Sequence, residues 1–138
     1  MTVLCFGTFD GLHAGHVDYF RQARTFGDRL VVVVALDETV KLVKDQTSVY
    51  VQQTRLQTVA DHLLVDEARL GSADDRYRVI EDVRPDIIVL GYDQVTFTEG
   101  LGEALRARGL ACKIVRAAAY QPEIYKSSKL YARSSFYP

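Results

Sequence analysis

"TVLCFGTFDGLHAGH" (residues 2–16) is the stretch on which the fold turns. Its first part, "TVLCF" (2–6), is a continuous apolar run that Gly7 ends, as in a strand buried on both faces. From Ala14 to Phe26 the residues Val17, Phe20, Ala23 and Phe26 recur at helical spacing, and Gly27 supplies the stop. The stretch is therefore strand, glycine-bearing turn, helix.

Outward from it the same alternation continues. "RLVVVVAL" (29–36) is β-branched and apolar on both faces, as a central parallel strand requires. "DETVKLVK" (37–44) reads as a short helix with Asp37 as its N-cap. "YVQQTRLQTVADHL" (50–63) places Val51, Leu56, Val59 and Leu63 on one helical stripe, and "LLVDEA" (63–68) follows as a short strand. "DDRYRVIEDV" (74–83) is an amphipathic helix broken by Pro85, and "DIIVLGYD" (86–93) is another buried strand. "EGLGEALRARG" (99–109) reads as a helix, "LACKIVRA" (110–117) as a strand, and "SSKLYARSS" (127–135) as a short final helix. No Asn-Gly hairpin signal occurs. The pattern predicts a single α/β domain over 1–138: a Rossmann-like, doubly wound, mostly parallel sheet of about five strands with helices on both faces. Ligands of such sheets bind beyond the carboxyl ends of the strands. Residues 7–16, Asp37 and "GYDQ" (91–94) all fall there.

The bulk composition narrows the class. The chain has 138 residues, 48% hydrophobic and 25% charged, with a net charge of −1. That balance gives no global basic field for nucleic acid. No basic n-region with a cleavage site opens the chain, and the longest apolar run, Leu30 to Leu36, is too short to span a bilayer. Cys5 and Cys112 lie far apart in apolar runs, as two buried reduced thiols would. A cytoplasmic protein with no nucleic-acid or membrane partner is expected.

The chemistry of residues 7–16 comes from three glycines and two histidines in ten positions. A helix that starts just after a strand offers free N–H groups and the positive end of its dipole to an anion. Gly11 and Gly15 let a phosphate approach closely, and His13 and His16, three apart, can face one ligand. A metal site would lack an obvious third ligand other than Asp10. A phosphate cradle accounts for the glycines and histidines together. Neither GxGxxG nor a Walker lysine motif is present.

On these residues the chain resembles the HxGH nucleotidyltransferase superfamily, the cytidylyltransferase-like group. The resemblance runs on through "RQARTFGDRLVVVVALDETVKLVK", Arg55, "RPDIIVLGYDQ" and "KSSKL", nearly the whole chain. It implies transfer of a nucleoside monophosphate from ATP or CTP to a phosphorylated acceptor, with release of pyrophosphate and Mg²⁺ on the phosphates. It places His13 and His16 at the α-phosphate, with backbone contacts from Gly7, Thr8 and Phe9. Asp10 would orient the loop or sit near the metal. The resemblance brings Arg55 to the phosphates, and Lys44, or else Lys41, to the acceptor or α-phosphate. Gly91, Tyr92 and Asp93 would meet base and ribose. Ser127 and Ser128 would meet the outer phosphates, aided by Lys126 and Lys129.

The residues themselves leave other roles open. Lys44 is equally a solvated cation at a helix end, Arg55 a salt-bridge partner, and Asp37 a ribose ligand or a helix cap. Tyr92 stacks on a ring or covers the core edge. Among acceptors, the glycine in "FDG", "PDIIVLGYDQ" and the terminal serines are most similar to stand-alone archaeal-type FAD synthases, which implies FMN. Heptose-1-phosphate adenylyltransferases and glycerol-3-phosphate cytidylyltransferases share the plan. The tail "AAAYQPEIYKSSK" differs from the "RTEGIST"-like tail of the last group. The resemblance also implies a homodimer. A nucleotide-binding regulatory module without turnover is the non-enzyme alternative.

Overall fold

The computed structural model describes residues 1–44, 46–94 and 100–120, with the backbone alone at 43 and 44. The strands are β1 (Thr2–Gly7), β2 (Arg29–Val34), β3 (Glu67–Leu70), β4 (Ile87–Leu90) and β5 (Lys113–Arg116). The helices are α1 (Ala14–Arg24), α2 (Asp37–Lys44), α3 (Gln52–Ala60), α4 (Arg78–Val83) and α5 (Leu101–Ala107). The strands lie in the order β3–β2–β1–β4–β5, and every neighbouring pair is parallel.

The continuous apolar runs of β1 and β2 are explained by what covers them. Val3 and Cys5 of β1 pack with Tyr19, Phe20 and Ala23 of α1 and Val59 of α3. Leu4 and Phe6 pack on the opposite face with Val79 and Ile80 of α4 and Leu101 and Leu105 of α5. Side chains alternate across a strand, so a strand with a helical layer on each face has no polar side. The chain builds outward from β1 to β3, then returns to lay β4 on the other edge of β1. The switch point of the sheet is thus between β1 and β4, the place where such folds bind ligands.

Several boundaries differ from the sequence expectation. The strand expected at 63–68 is shifted to 67–70. Leu64 N–H donates to His62 Nδ1 and Val65 N–H to His62 O, so this segment is a turn, and the ladder starts with Asp66 N–H on Leu30 O. The helix expected from 74 begins at 78. Asp75 accepts from Tyr77 N–H at 3.0 Å, a local turn that competes with helix. Arg84, in a left-handed conformation (φ 51°), ends α4 just before Pro85. Helix α3 is shorter than 50–63, so Val51 and Leu63 of the expected stripe are exposed while Leu56 and Val59 pack inward. Phe26, beyond the end of α1, is also left partly exposed. Cys5 is buried, whereas Cys112, beside the edge strand β5, is only half-buried. Burial pushes the Cys5 thiol up to about 12 and the Cys112 thiol to about 11, so both stay protonated at neutral pH. The expected final helix at 127–135 lies outside the described residues.

Candidate active site

The loop after β1 is shaped by its two unusual backbone positions. Phe9 has φ 54° and Gly11 φ 92°. The left-handed turn at Phe9 folds its buried ring back over Gly7, where an added Cβ would lie 2.5 Å from the ring. Gly7 therefore has to be glycine. The Phe9 ring then meets the His16 ring edge-on at 5.2 Å and the Phe20 ring at 5.4 Å, which anchors the start of α1 to the core.

His13 and His16 cap this helix themselves. His13 is the N-cap, and its Nδ1 accepts from Gly15 N–H at 3.1 Å. His13 N–H in turn donates to His16 Nδ1 at 3.3 Å, so the pair forms a reciprocal capping box. The two rings stack with centroids 3.9 Å apart. A lone pair is needed at each Nδ1 to accept these bonds, which puts the imidazole proton on each Nε2. Burial holds the His13 imidazole below its ordinary pKa, so it is neutral at pH 7. Its Nε2 is buried without a hydrogen-bond partner among the described residues. A buried unmet donor is costly, and a ligand oxygen would relieve it.

Behind the loop the charged groups are turned inward. Arg55 is a fully buried side chain of α3. Its Nε donates to Tyr50 O at 2.9 Å, Nη1 to Thr8 O at 2.8 Å and Nη2 to Asp37 Oδ1 at 2.7 Å. Arg55, expected near the phosphates, thus grips the loop backbone from the back. Asp37 is the first residue of α2 rather than its N-cap. Its Oδ2 accepts from Gln52 N–H, the first orphan donor of α3, and its own N–H donates to Gln52 Oε1 at 2.7 Å. It caps a neighbouring helix. Arg55 holds the Asp37 carboxyl below the usual carboxylate range. Asp10 accepts from Val49 N–H at 2.7 Å and Tyr50 N–H at 2.8 Å, one on each oxygen. It orients a loop, joining residues 49–50 to the glycine turn.

Across the switch point, Gly91, Tyr92 and Asp93 face the histidines. One crevice is lined by His13, Gly15 and His16 on one wall and by Gly91, Tyr92 and Asp93 on the other. Tyr92 and Asp93 are exposed there. Asp37 and Arg55 are not part of that lining. Lys41 is exposed on α2. Lys44 closes α2, but its side chain, like Lys126, Ser127, Ser128 and Lys129, lies outside the described residues.

Sequence reading missed three residues here, Gln22, Arg116 and Tyr19, and gave Gln94 of the 91–94 stretch no role of its own. Gln22 of α1 bonds Ala118 twice, donating to its carbonyl at 2.9 Å and accepting from its N–H at 2.8 Å, which brings Ala117 and Ala118 to the crevice. Arg116 Nη1 donates to Gly91 O at 2.8 Å and Gln94 O at 2.7 Å, holding the 91–94 turn. Tyr19 and Gln94 lie between β1 and β4. The sequence around Tyr19, "VDYFRQ" (17–22), is an ordinary amphipathic helix and carries no signal for this role. Among the described residues no group of three His, Cys, Asp or Glu is placed to hold a metal ion. No described helix is long and apolar enough to cross a membrane.

Comparison with known proteins gives a consistent picture. A family model described as cytidylyltransferase-like matches residues 4–133. The chain is 48% identical over 118 residues to an FAD synthase of Aciduliprofundum boonei, covering 86% of this chain and 78% of that protein. It is 41% identical over 132 residues to an FAD synthase of Methanococcoides burtonii, covering 95% and 91%. The crystal structure of a lipopolysaccharide core biosynthesis protein from Thermoplasma volcanium aligns with a TM-score of 0.83 at 36% identity, covering 88% of this chain and 98% of that one.

Proposed function

The chain belongs to the cytidylyltransferase-like family of nucleotidyltransferases, and from that premise we propose that it is an FMN adenylyltransferase, joining ATP to FMN to make FAD and pyrophosphate. In this reaction a phosphate oxygen of FMN attacks the α-phosphorus of ATP. The new P–O bond forms as the bond to the β-phosphate breaks, and pyrophosphate leaves. No protein nucleophile is needed; the protein positions the two phosphates and meets charge on the α-phosphoryl oxygens.

The observation that carries the reading is the buried, unpartnered Nε2 of His13 at the start of α1. Its tautomer is set by Gly15 N–H, so it presents a donor where an α-phosphate would lie at the helix N-terminus. His16, fixed in the same tautomer, stacks on the His13 ring beside it. Gly91, Tyr92 and Asp93 offer the opposite wall to base and ribose. Magnesium fits as an ion carried on the triphosphate, because Asp10 directs both oxygens at backbone N–H groups and no carboxylate cage is present among the described residues. Its charge would neutralise the leaving pyrophosphate. Lys44, Ser127 and Ser128 belong to this reading as further phosphate ligands, and a homodimer as its assembly.

The test is incubation with ATP, FMN and Mg²⁺, with FAD followed by chromatography. FAD formation is expected. Absence of FAD with turnover of another acceptor would overturn the FMN assignment. A second reading is adenylyl transfer to a sugar 1-phosphate; the Thermoplasma volcanium protein that this chain is similar to is named for lipopolysaccharide core biosynthesis. Parallel reactions of ATP with sugar 1-phosphates, and of CTP with glycerol 3-phosphate, separate the acceptors.

A further inference from the structure

The β1–β4 ladder pairs Val3 with Ile87, Leu4 with Ile88 and Cys5 with Val89, and stops there. On its other edge β1 stays paired with β2 as far as Gly7 and Val34. The next β1–β4 step would set Phe6 opposite Leu90. In a regular parallel ladder Phe6 N–H would then bond Val89 O, and Phe6 O would receive Gly91 N–H.

Each of these two rungs is replaced by one side chain that both accepts and donates. Phe6 N–H donates to the Tyr19 hydroxyl at 3.3 Å, and that hydroxyl donates to Val89 O at 2.5 Å. Gly91 N–H donates to Gln94 Oε1 at 2.7 Å, and Gln94 Nε2 donates to Phe6 O at 3.0 Å. A rung built from two hydrogen bonds and an intervening group is longer than a direct one, so the strands are propped apart at their carboxyl ends. The crevice between the 7–16 loop and the 91–94 turn opens at that point. Both props are themselves held. Tyr19 is buried in the core under β1, and the lack of a Cβ at Gly91 leaves room for Gln94, whose nearest atom would lie 3.3 Å away. A phenylalanine at 19 would serve packing equally well, so the hydroxyl is explained by the two backbone groups it bridges.

We propose that Tyr19 and Gln94 are positioning residues that hold the nucleotide crevice at one width, so that its histidine wall and its Gly91–Asp93 wall meet the same triphosphate nucleotide. This rests on the reading that a nucleotide binds between those walls. Without a prop, the freed N–H and C=O of β1 and β4 can pair directly and narrow the crevice. Loss of a prop therefore weakens nucleotide binding without unfolding the sheet.

The experiment compares the parent with Tyr19→Phe and Gln94→Met by calorimetric titration with ATP and Mg²⁺, thermal melting and steady-state kinetics. The expected result is an ATP Kd and KM raised about tenfold or more, as small misplacements of a binding wall produce. The KM for the acceptor and the Tm should stay near the parent's. Unchanged ATP affinity in the folded variants would overturn the proposal. So would binding loss that only tracks loss of fold. If Tyr19→Phe fails to fold, Gln94→Met, at a partly exposed turn, decides alone. A parent that binds no ATP would end the nucleotide reading itself, and this proposal with it; FMN refused by a parent that binds ATP would end only the acceptor assignment.

Discussion

His13 and Arg55 flank the same loop, one at the crevice and one behind it. Both are cationic-type side chains that a sequence reading sends to phosphate. In the structure His13 has one ring nitrogen held by a backbone N–H and the other buried without a partner. Arg55 has its Nε, Nη1 and Nη2 all bonded to the protein, two of them to backbone carbonyls of the Thr8 and Tyr50 segments. The first arrangement leaves a donor for a ligand. The second holds the backbone that carries the first. What separates the two groups is the state of their hydrogen bonds, since both are of a chemical type that suits phosphate.

That contrast can be broken by mutation. The largest effect is expected for His16→Ala: turnover falls by about 10²–10³-fold, the scale for removing one donor to a transition-state oxygen. Stability falls only by about 1 kcal/mol for the lost cap, read as the urea midpoint. A melting loss that accounts for the lost activity would move His16 to the scaffold side. Arg55→Met should do the reverse. It removes a buried cation bonded three ways and leaves the carbonyls of Thr8 and Tyr50 without their donor, at a cost of about 2–3 kcal/mol of stability. Unchanged urea stability with a raised KM for ATP would mean that Arg55 leaves its pocket to meet phosphate, and the contrast would fail.

Asp10→Asn is expected to cost less, about 1 kcal/mol, because the amide keeps one acceptor for Val49 and Tyr50 while losing the charge. A larger effect on the Mg²⁺ dependence of turnover than on stability would instead place Asp10 at the metal. The smallest effect near neutrality is that of pH. The His13 pKa in the folded protein is depressed by burial. Its neutral form therefore stabilises the fold above the unfolded value of about 6.5, and this contribution is lost as pH falls through the folded value. Protonation also removes the Nδ1 lone pair that accepts from Gly15. Activity should decline on that acid limb, and His13→Asn, which keeps a cap acceptor, should remove the limb from the stability profile. An acid limb unchanged in His13→Asn would assign it to another group.

The strand–helix order was legible because the buried parallel strands are short apolar runs and the helices show their own period. The turn and helix start at 7–16 were legible because all their parts are local: glycines, histidines and a helix start within ten positions. The helix that Asp37 caps was misread for the opposite reason. The Asp37 carboxylate serves Gln52, 15 residues on, and nothing near Asp37 marks that partner. The stripe through Val51 and Leu63 failed because α3 is shorter than its apolar period, and the buried face is completed by Arg55 instead.

By itself the sequence determined a doubly wound α/β chain with a glycine-bearing turn and a helix start after its first strand, since apolar periodicity and glycine placement act over a few residues. Only the tertiary structure decided which polar groups line the crevice and which are bonded within the protein. Arg55 finds Thr8 at 47 residues' separation, Tyr19 finds Val89 at 70 and Gln94 finds Phe6 at 88. Hydrogen-bond satisfaction is settled by neighbours in space, and those neighbours exist only once the sheet has brought distant segments together.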